Sequence, residues 1–263
     1  MRRQLVTSRA DATELIEAGR VLVAGSVADK AARLVSPDQP ISVSGPPARY
    51  VSRGGEKLEA ALRQFRIDPS GKRILDAGAS TGGFTDCLLQ MGAGLVVAVD
   101  VGRGQIHERV SRDARVIVRE RTDIRSVDLD DFGGVPFEVI VADLSFISLR
   151  TVASALVGLA GPATDIVVLI KPQFEAGRRE ASRGKGVIRD PEVWRRAVEG
   201  AIDALETAGA TMMGIMVSPR RGADGNVEFL AHFKAAEDQA RSAAGPGWDL
   251  DSVLAEATAG RGS

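Results

Sequence analysis

The sequence predicts an α/β protein: a doubly wound, mostly parallel sheet whose last strand runs antiparallel, preceded by a small α+β module. Three observations carry the prediction. Short apolar runs alternate with helical stretches from Arg73 to Phe233, the pattern of parallel strands joined by crossover helices. No helix fits between the apolar runs that end at Val217 and begin at Val227, so the last strand returns as an antiparallel neighbour. One helical stretch and a few strands fill the first 45 residues, a module small enough to need support from a neighbour.

In chain order, Ser8 reads as the N-cap of a short helix whose Ala12, Leu15 and Ile16 share a face, with Gly19 closing it. The runs from Val21 to Gly25 and from Pro40 to Gly45 read as short strands, and residues 46–53 as a linker. Residues 54–66 form a helix with Leu58, Leu62 and Phe65 on one side. Strands follow at Arg73–Ala77, Leu95–Asp100, Val116–Val118, Val139–Asp143, Ile166–Lys171, Met212–Val217 and Val227–Phe233. Helices are expected near 83–91, 105–112, 149–160 and 191–208. Half of the 28 residues from Ala236 to Ser263 are Ala, Gly or Ser, which predicts a disordered tail. The expected division is a module over 1–45, a linker over 46–53, a sheet domain over 54–235 and the tail.

Composition narrows the function classes. With 263 residues, 44% of them hydrophobic and 26% charged, the chain can build a core and is neither collagenous, coiled-coil nor low-complexity. Cys87 is the single cysteine, which excludes an internal disulfide or a multi-thiolate metal site and points to a reducing compartment. No run approaches the ~18 apolar residues of a membrane span. No apolar stretch follows Arg2 and Arg3, so a signal peptide is not expected and the expected location is cytoplasmic. The net charge of −1 argues against a nucleic-acid partner only as an average. Residues 1–66 carry 11 Lys/Arg and 7 Asp/Glu, a net +4, whereas 67–235 carry −2 and 236–263 carry −3. Only 6 of the 34 basic residues are lysines, so each lysine is a minority choice.

The turn after the first strand of the sheet domain carries the most specific signal. Ile74 to Thr85 run from a strand through a glycine-rich turn into a helix, the ligand crevice of a doubly wound sheet. Asp76 stands two residues before Gly78, and the next glycines are Gly82 and Gly83. A dinucleotide fingerprint would instead present bare amides to a pyrophosphate, which Asp76 would repel. A carboxylate there can hold an ammonium, such as the amino-acid end of S-adenosylmethionine. Asp100 closes the second strand and is placed for a ribose diol, and Asp123, after the third, could face an adenine.

Three ionisable residues fall at strand ends beside this turn: Asp143 at the fourth, Lys171 at the fifth and Glu228 near the start of the last. An antiparallel last strand begins where the parallel ones end, so the three gather at one edge, and Lys57 in the preceding helix can approach them. Such a set suits methyl transfer to a hydroxyl, because a ribose 2′-hydroxyl is a poor nucleophile unless its proton is drawn off. A neutral amine can do this, which requires its pKa to fall from about 10.4. A second cation and burial push that way, while Asp143 and Glu228 push the other. Lys171 is therefore either the base or the group that orients the hydroxyl, with Lys57 as its charge modulator and the carboxylates as positioners. No metal is needed, and His107 and His232 lie far apart without ligand-spaced companions.

The motifs at Ser52–Leu58, Asp76–Thr85, Asp100–Gln105, Val141–Leu149, Lys171–Glu175 and Gly225–Phe229 together resemble the TlyA (hemolysin A) family. The resemblance covers about residues 5–235. It implies a Rossmann-like class I methyltransferase sheet of FtsJ-like type behind an S4-like RNA-binding domain. It also implies S-adenosylmethionine-dependent methylation of cytidine 2′-hydroxyls in ribosomal RNA, with the family's K-D-K-E tetrad on Lys57, Asp143, Lys171 and Glu228. The expected cofactor contacts are Asp76, Gly78, Ser80, Thr81, Gly82, Gly83, Phe84, Asp100, Asp123 and Asp143. The expected RNA contacts are Arg2, Arg3, Arg9, Arg20, Lys30 and Arg53, with the segment Arg178–Lys185 closing over the substrate. The partners are ribosomal subunits and the expected state is a monomer. S4 domains begin with a helix ahead of a Ser-Arg pair, whereas only seven residues precede Ser8 and Arg9 here. The expectation is an incomplete first helix or a start codon placed too late.

Two competing functions remain: a membrane-active, hemolysin-like protein, for which no spanning segment is seen, and a nicotinamide-dependent oxidoreductase, which Asp76 and the glycine spacing disfavour. The basic N-terminal charge makes a measurable claim. Binding of ribosomal RNA should weaken steeply with rising salt, and salt-independent binding in a filter or fluorescence titration would contradict a phosphate-gripping end.

Overall fold

Strand order is what positions the site. The computed structural model describes the chain apart from residues 1–2, 4, 7–8, 47, 178–179, 181–185, 223–224, 236–247 and 261–263. Helix α1 (Arg9–Glu17) ends at Gly19, whose φ of +66° lets its amide reach the Ile16 carbonyl at 2.9 Å. Three short strands follow, β1 (Val21–Val23), β2 (Ser26–Val27) and β3 (Ile41–Val43), in the antiparallel order β2-β1-β3. Ser8 lies outside the described residues. Helix α2 (Gly54–Gln64) then leads into the sheet domain. The linker is tied down by Asp86, which accepts the Val51 amide at 2.8 Å and the Arg109 guanidinium at 2.5 Å.

The large sheet is built from β4 (Arg73–Ala77), β5 (Leu95–Val99), β6 (Val116–Arg119), β7 (Phe137–Ala142), β8 (Ala160–Ile170), β9 (Ala210–Val217) and β10 (Phe229–Ala235). Its order is β6-β5-β4-β7-β8-β10-β9. The first five run parallel, and β10 is antiparallel to both neighbours, as the short 217–227 gap requires. Central strands such as β4 and β7 are buried along nearly their whole length because helices cover both faces. On one face α2 and α3 (Gly83–Gln90) pack through Leu58, Leu62, Phe84 and Leu88. On the other, α5 (Ala153–Gly158) and α7 (Pro191–Thr207) pack through Leu156, Trp194, Val198 and Leu205.

Several expected boundaries move. The helix near 105–112 is reduced to α4 (Glu108–Ser111), capped by His107, whose Nδ1 accepts the Arg109 amide. The helix over 149–160 splits into a 3-10 turn at Leu149–Thr151 and α5, because β8 is longer than its apolar run and begins at Ala160. The expectation of a disordered tail is corrected over 250–259, which form α8 (Leu250–Ala259). Leu250, Leu254 and Ala257 recur at helical spacing and are buried in the core that holds Trp194. Alanine lowers hydropathy contrast but is the best helix former, so an Ala-rich stretch is no sign of disorder once three apolar residues share a face.

Trp194 is fully buried, and its indole N–H donates to the Ile188 carbonyl at 3.2 Å. Trp194→Ala should lower the unfolding free energy by about 3–5 kcal/mol in a denaturant titration; a loss of under about 1 kcal/mol would contradict its place in the core.

Candidate active site at the carboxyl edge of the sheet

Register brings the sequence-distant charges together. Phe229 pairs with Ile170 in the β10–β8 ladder, so the next position places Glu228 opposite Lys171. Asp143 follows β7 on the other side of β8, and its amide donates to the Ala77 carbonyl of β4 at 3.0 Å. Two ion pairs result. Lys171 Nζ lies 2.6 Å from Asp143 and donates to Ser145 Oγ at 2.8 Å. Lys57, buried on the first turns of α2, donates to Glu228 Oε2 at 2.5 Å. Gly222 makes room for Glu228: a Cβ there would stand 2.5 Å from Oε1. Both lysines and Glu228 are buried, and Asp143 is half-buried.

The glycine-rich turn lies against Asp143. Gly78 has φ +85°, and a Cβ on it would meet the Asp143 carbonyl at 2.5 Å, so only glycine fits. Gly83 is pressed onto Ser52, whose Oγ would be 2.1 Å from an added Cβ. A cavity of about 150 Å³ opens between them, lined by Gly78, Ser80, Thr81, Gly83, Phe84, Asp143, Ser145 and Lys171. Phe84 is also packed into the core under α2 and α3. Asp76 is fully buried; its Oδ2 accepts the Thr85 hydroxyl at 2.6 Å, and its Oδ1 has no hydrogen-bond partner among the described residues. Burial pushes its carboxyl up to about 7.

Asp100 and Asp123 have partners of their own. The Asp100 carboxylate accepts the Ser80 amide at 2.8 Å and the Gly102 amide at 2.6 Å, fixing the glycine turn to the end of β5. Asp123 caps a 3-10 turn at Ile124–Ser126 and pairs with Arg125 at 2.6 Å, whose guanidinium holds its carboxyl down at about 2.

The expected RNA contacts are spread over the N-terminal module and its junction with the sheet domain. Arg3 donates to the Pro37 carbonyl at 2.6 Å and Arg20 to those of Ser44 and Pro46, at 2.8 and 2.6 Å, so both brace the module. Arg20 and Arg53 also line a cleft of about 550 Å³ with Arg109 and Arg220. Lys30 is exposed, and Arg9 begins α1. Arg2 and most of Arg178–Lys185 lie outside the described residues. His232 is buried, pairs with Asp165 at 2.8 Å and stacks on Phe65. Among the described residues no three His, Cys, Asp or Glu are grouped to hold a metal ion.

Sequence reasoning singled out the four charged residues and the glycine turn but not Ser52, Ser145 or Glu175. Each sits inside a quoted motif, which was the available signal. Their partners lie far away in sequence, so their roles were not readable.

Comparison with known proteins fixes the family. The FtsJ-like methyltransferase family model matches residues 50–235 and the S4 domain model residues 2–41. A 16S/23S rRNA (cytidine-2′-O)-methyltransferase TlyA from Mycobacterium tuberculosis is 46% identical over 93% of this chain and 91% of its own length. The chain belongs to the TlyA family of FtsJ-like methyltransferases. A protein named Hemolysin A from Brachyspira hyodysenteriae is 41% identical over 86% of this chain and 93% of its own. A solved structure carrying the hemolysin name, from Streptococcus thermophilus, superposes with a TM-score of 0.78 at 33% identity, covering 99% of this chain and 94% of that one.

FtsJ-like methyltransferases use S-adenosylmethionine, and the residues present suit it. A buried carboxylate oxygen without a partner is offered at Asp76, and the turn beside it is kept open by glycines. A carboxyl raised above its unfolded value keeps a proton that the unfolded chain has released. Without ligand the fold therefore weakens as pH rises from about 4 to about 7. An ammonium brought to Asp76 favours the ionised form. S-adenosylmethionine should then bind about tenfold more weakly at pH 6 than at pH 8 in calorimetry. Asp76→Asn should flatten that dependence and weaken binding at pH 8; a wild-type affinity that is constant across the range would contradict this use of Asp76.

Proposed function

We propose that the chain is an S-adenosylmethionine-dependent 2′-O-methyltransferase of ribosomal RNA, acting on cytidine ribose. The observation that carries the reading is the pairing of Lys171 with Asp143 and Ser145 on the rim of the glycine-turn cavity. S-adenosylmethionine, when bound, supplies a methyl group already activated on sulfur, so the residues have to prepare the acceptor.

Asp76 holds the amino-acid end of the cofactor and Asp100 the ribose, while the glycine turn leaves room for both. Lys171 directs the acceptor hydroxyl. An ammonium has three N–H groups; Ser145 takes one, and the Asp143 carboxylate stands 2.6 Å away as its counter-ion. An N–H is left for the hydroxyl oxygen, whose proton passes to water as the new C–O bond would form and the methyl–sulfur bond break, its electron pair staying on sulfur. Lys57 and Glu228, paired and buried beside Lys171, fix the local charge. The N-terminal module and the junction cleft with Arg20, Arg53, Arg109 and Arg220 hold the RNA through its phosphates. The reading places the protein with ribosomes in the cytoplasm, acting as a monomer.

The hemolysin name raises a membrane-active alternative. Among the described residues no helix is long and apolar enough to cross a membrane, and no observation at the site favours that reading.

Lys171→Ala should abolish 2′-O-methylation of ribosomal RNA detected by primer extension while leaving S-adenosylmethionine binding in place. Full activity in that variant would sink the mechanism. Liposome leakage by the purified protein, together with an absence of S-adenosylmethionine binding, would reverse the choice of function.

A further inference from the structure

Lys171 meets Asp143 and Ser145 across two segments that leave the sheet side by side. The β7–β8 ladder ends with Ala142 opposite Val168, so beyond it no strand pairing sets their spacing. Glu175 bridges them at a second point. It ends α6 (Pro172–Glu175), a single turn whose Phe174 and Glu175 amides donate to the Lys171 carbonyl at 2.9 and 3.2 Å. Its carboxylate accepts the Ser148 hydroxyl at 2.5 Å and the Leu149 amide at 2.7 Å. Burial pushes this carboxyl up, against the two hydrogen bonds that favour its charge.

The segment from Leu144 to Ser148 is thus held at both ends by the segment from Lys171 to Glu175. Between the two fastenings the chain is strained: Phe146 has φ +65° and is exposed, with its ring 5.2 Å from that of Phe174. A short, strained and solvent-facing segment keeps one shape only if its ends are fixed. Ser145 sits inside it, one residue before Phe146, and also lines the cavity.

We propose that Glu175 is a positioning residue for methyl transfer: it clasps the Leu144–Ser148 segment so that Ser145 Oγ is held as the hydrogen-bond acceptor of the Lys171 ammonium. Glu175 does not line the cavity, whereas Ser145 does, so Glu175 acts through Ser145. With Asp143 alone, Lys171 could swing about a single ion pair; the directional hydrogen bond to Ser145 fixes where its other N–H groups point. The inference rests on the methyl-transfer reading above.

The test uses the full chain with ribosomal RNA in single-turnover methylation, alongside S-adenosylmethionine calorimetry and thermal unfolding. Glu175→Ala should slow the single-turnover rate roughly ten- to a hundredfold at an assay temperature where it is folded, with cofactor affinity changed by less than about twofold. Glu175→Gln should recover the rate to within about threefold of wild type, because its amide oxygen accepts from Leu149 and its amide nitrogen donates to Ser148. Ser145→Ala should show a comparable loss, and the double variant should lose no more than the worse single, since both act through one contact. If Glu175→Ala does not fold, Ser148→Ala removes one half of the clasp and should give a smaller loss of the same kind. A full rate in Glu175→Ala or in Ser148→Ala, or losses that multiply in the double variant, would overturn the inference. So would a loss expressed wholly as weaker cofactor binding. A wild-type chain that transfers no methyl group to ribosomal RNA would overturn the underlying reading and this inference with it, whereas an active wild type with a full-rate Glu175→Ala overturns this inference alone.

Discussion

Insertion of β10 antiparallel between β8 and β9 is the constraint on which the site depends. Phe229 paired with Ile170 sets Glu228 opposite Lys171 at the sheet's carboxyl edge. A parallel last strand would have started at the other edge and carried Glu228 away from Lys171. A slip of one residue would have turned Glu228 to the opposite face. Lys57 follows from the same arrangement, because α2 packs on the face toward which Glu228 is turned and their ion pair spans 171 residues of sequence. The topology that closes the sheet is therefore also what assembles the charges.

Those charges are arranged as two pairs rather than a loose cluster. Taking ions out of water is costly, and a buried pair seldom stabilises a fold more than an apolar pair of the same size would. Their value lies in directing N–H groups, which a greasy rim could not do. Asp76 is the contrasting case: a buried acid with one oxygen bonded to Thr85 and the other left for a ligand, at a point where burial holds its proton to about neutral pH. The glycines complete the design by absence, since a side chain at Gly78 or Gly83 would fill the space against Asp143 or Ser52.

How much of this the sequence revealed depended on range. Short-range patterns were legible: the strand, turn and helix from Ile74 to Thr85, the Gly19 cap and the antiparallel return after Val217 are all set by local chemistry. The gathering of Asp143, Lys171 and Glu228 was legible too, because it follows from strand direction alone. What escaped were contacts fixed by packing. Ser145 and Glu175 look like ordinary polar residues until β7 and β8 are laid side by side. The pairing of Asp123 with Arg125 is a local contact two residues apart, formed beside the position where the sequence points to an adenine. Helix α8 is hidden by an Ala-rich composition that resembles lack of structure, although Leu250, Leu254 and Ala257 share a buried face.

Mapping of ribosomal 2′-O-methyl groups by mass spectrometry, in cells with and without the gene, bears most directly on what the protein does. A site-specific cytidine 2′-O-methyl group should be present in the parent and missing in the deletion, and should return with the wild-type gene. Identical methylation maps in the two strains would contradict the assignment of ribosomal RNA as the substrate.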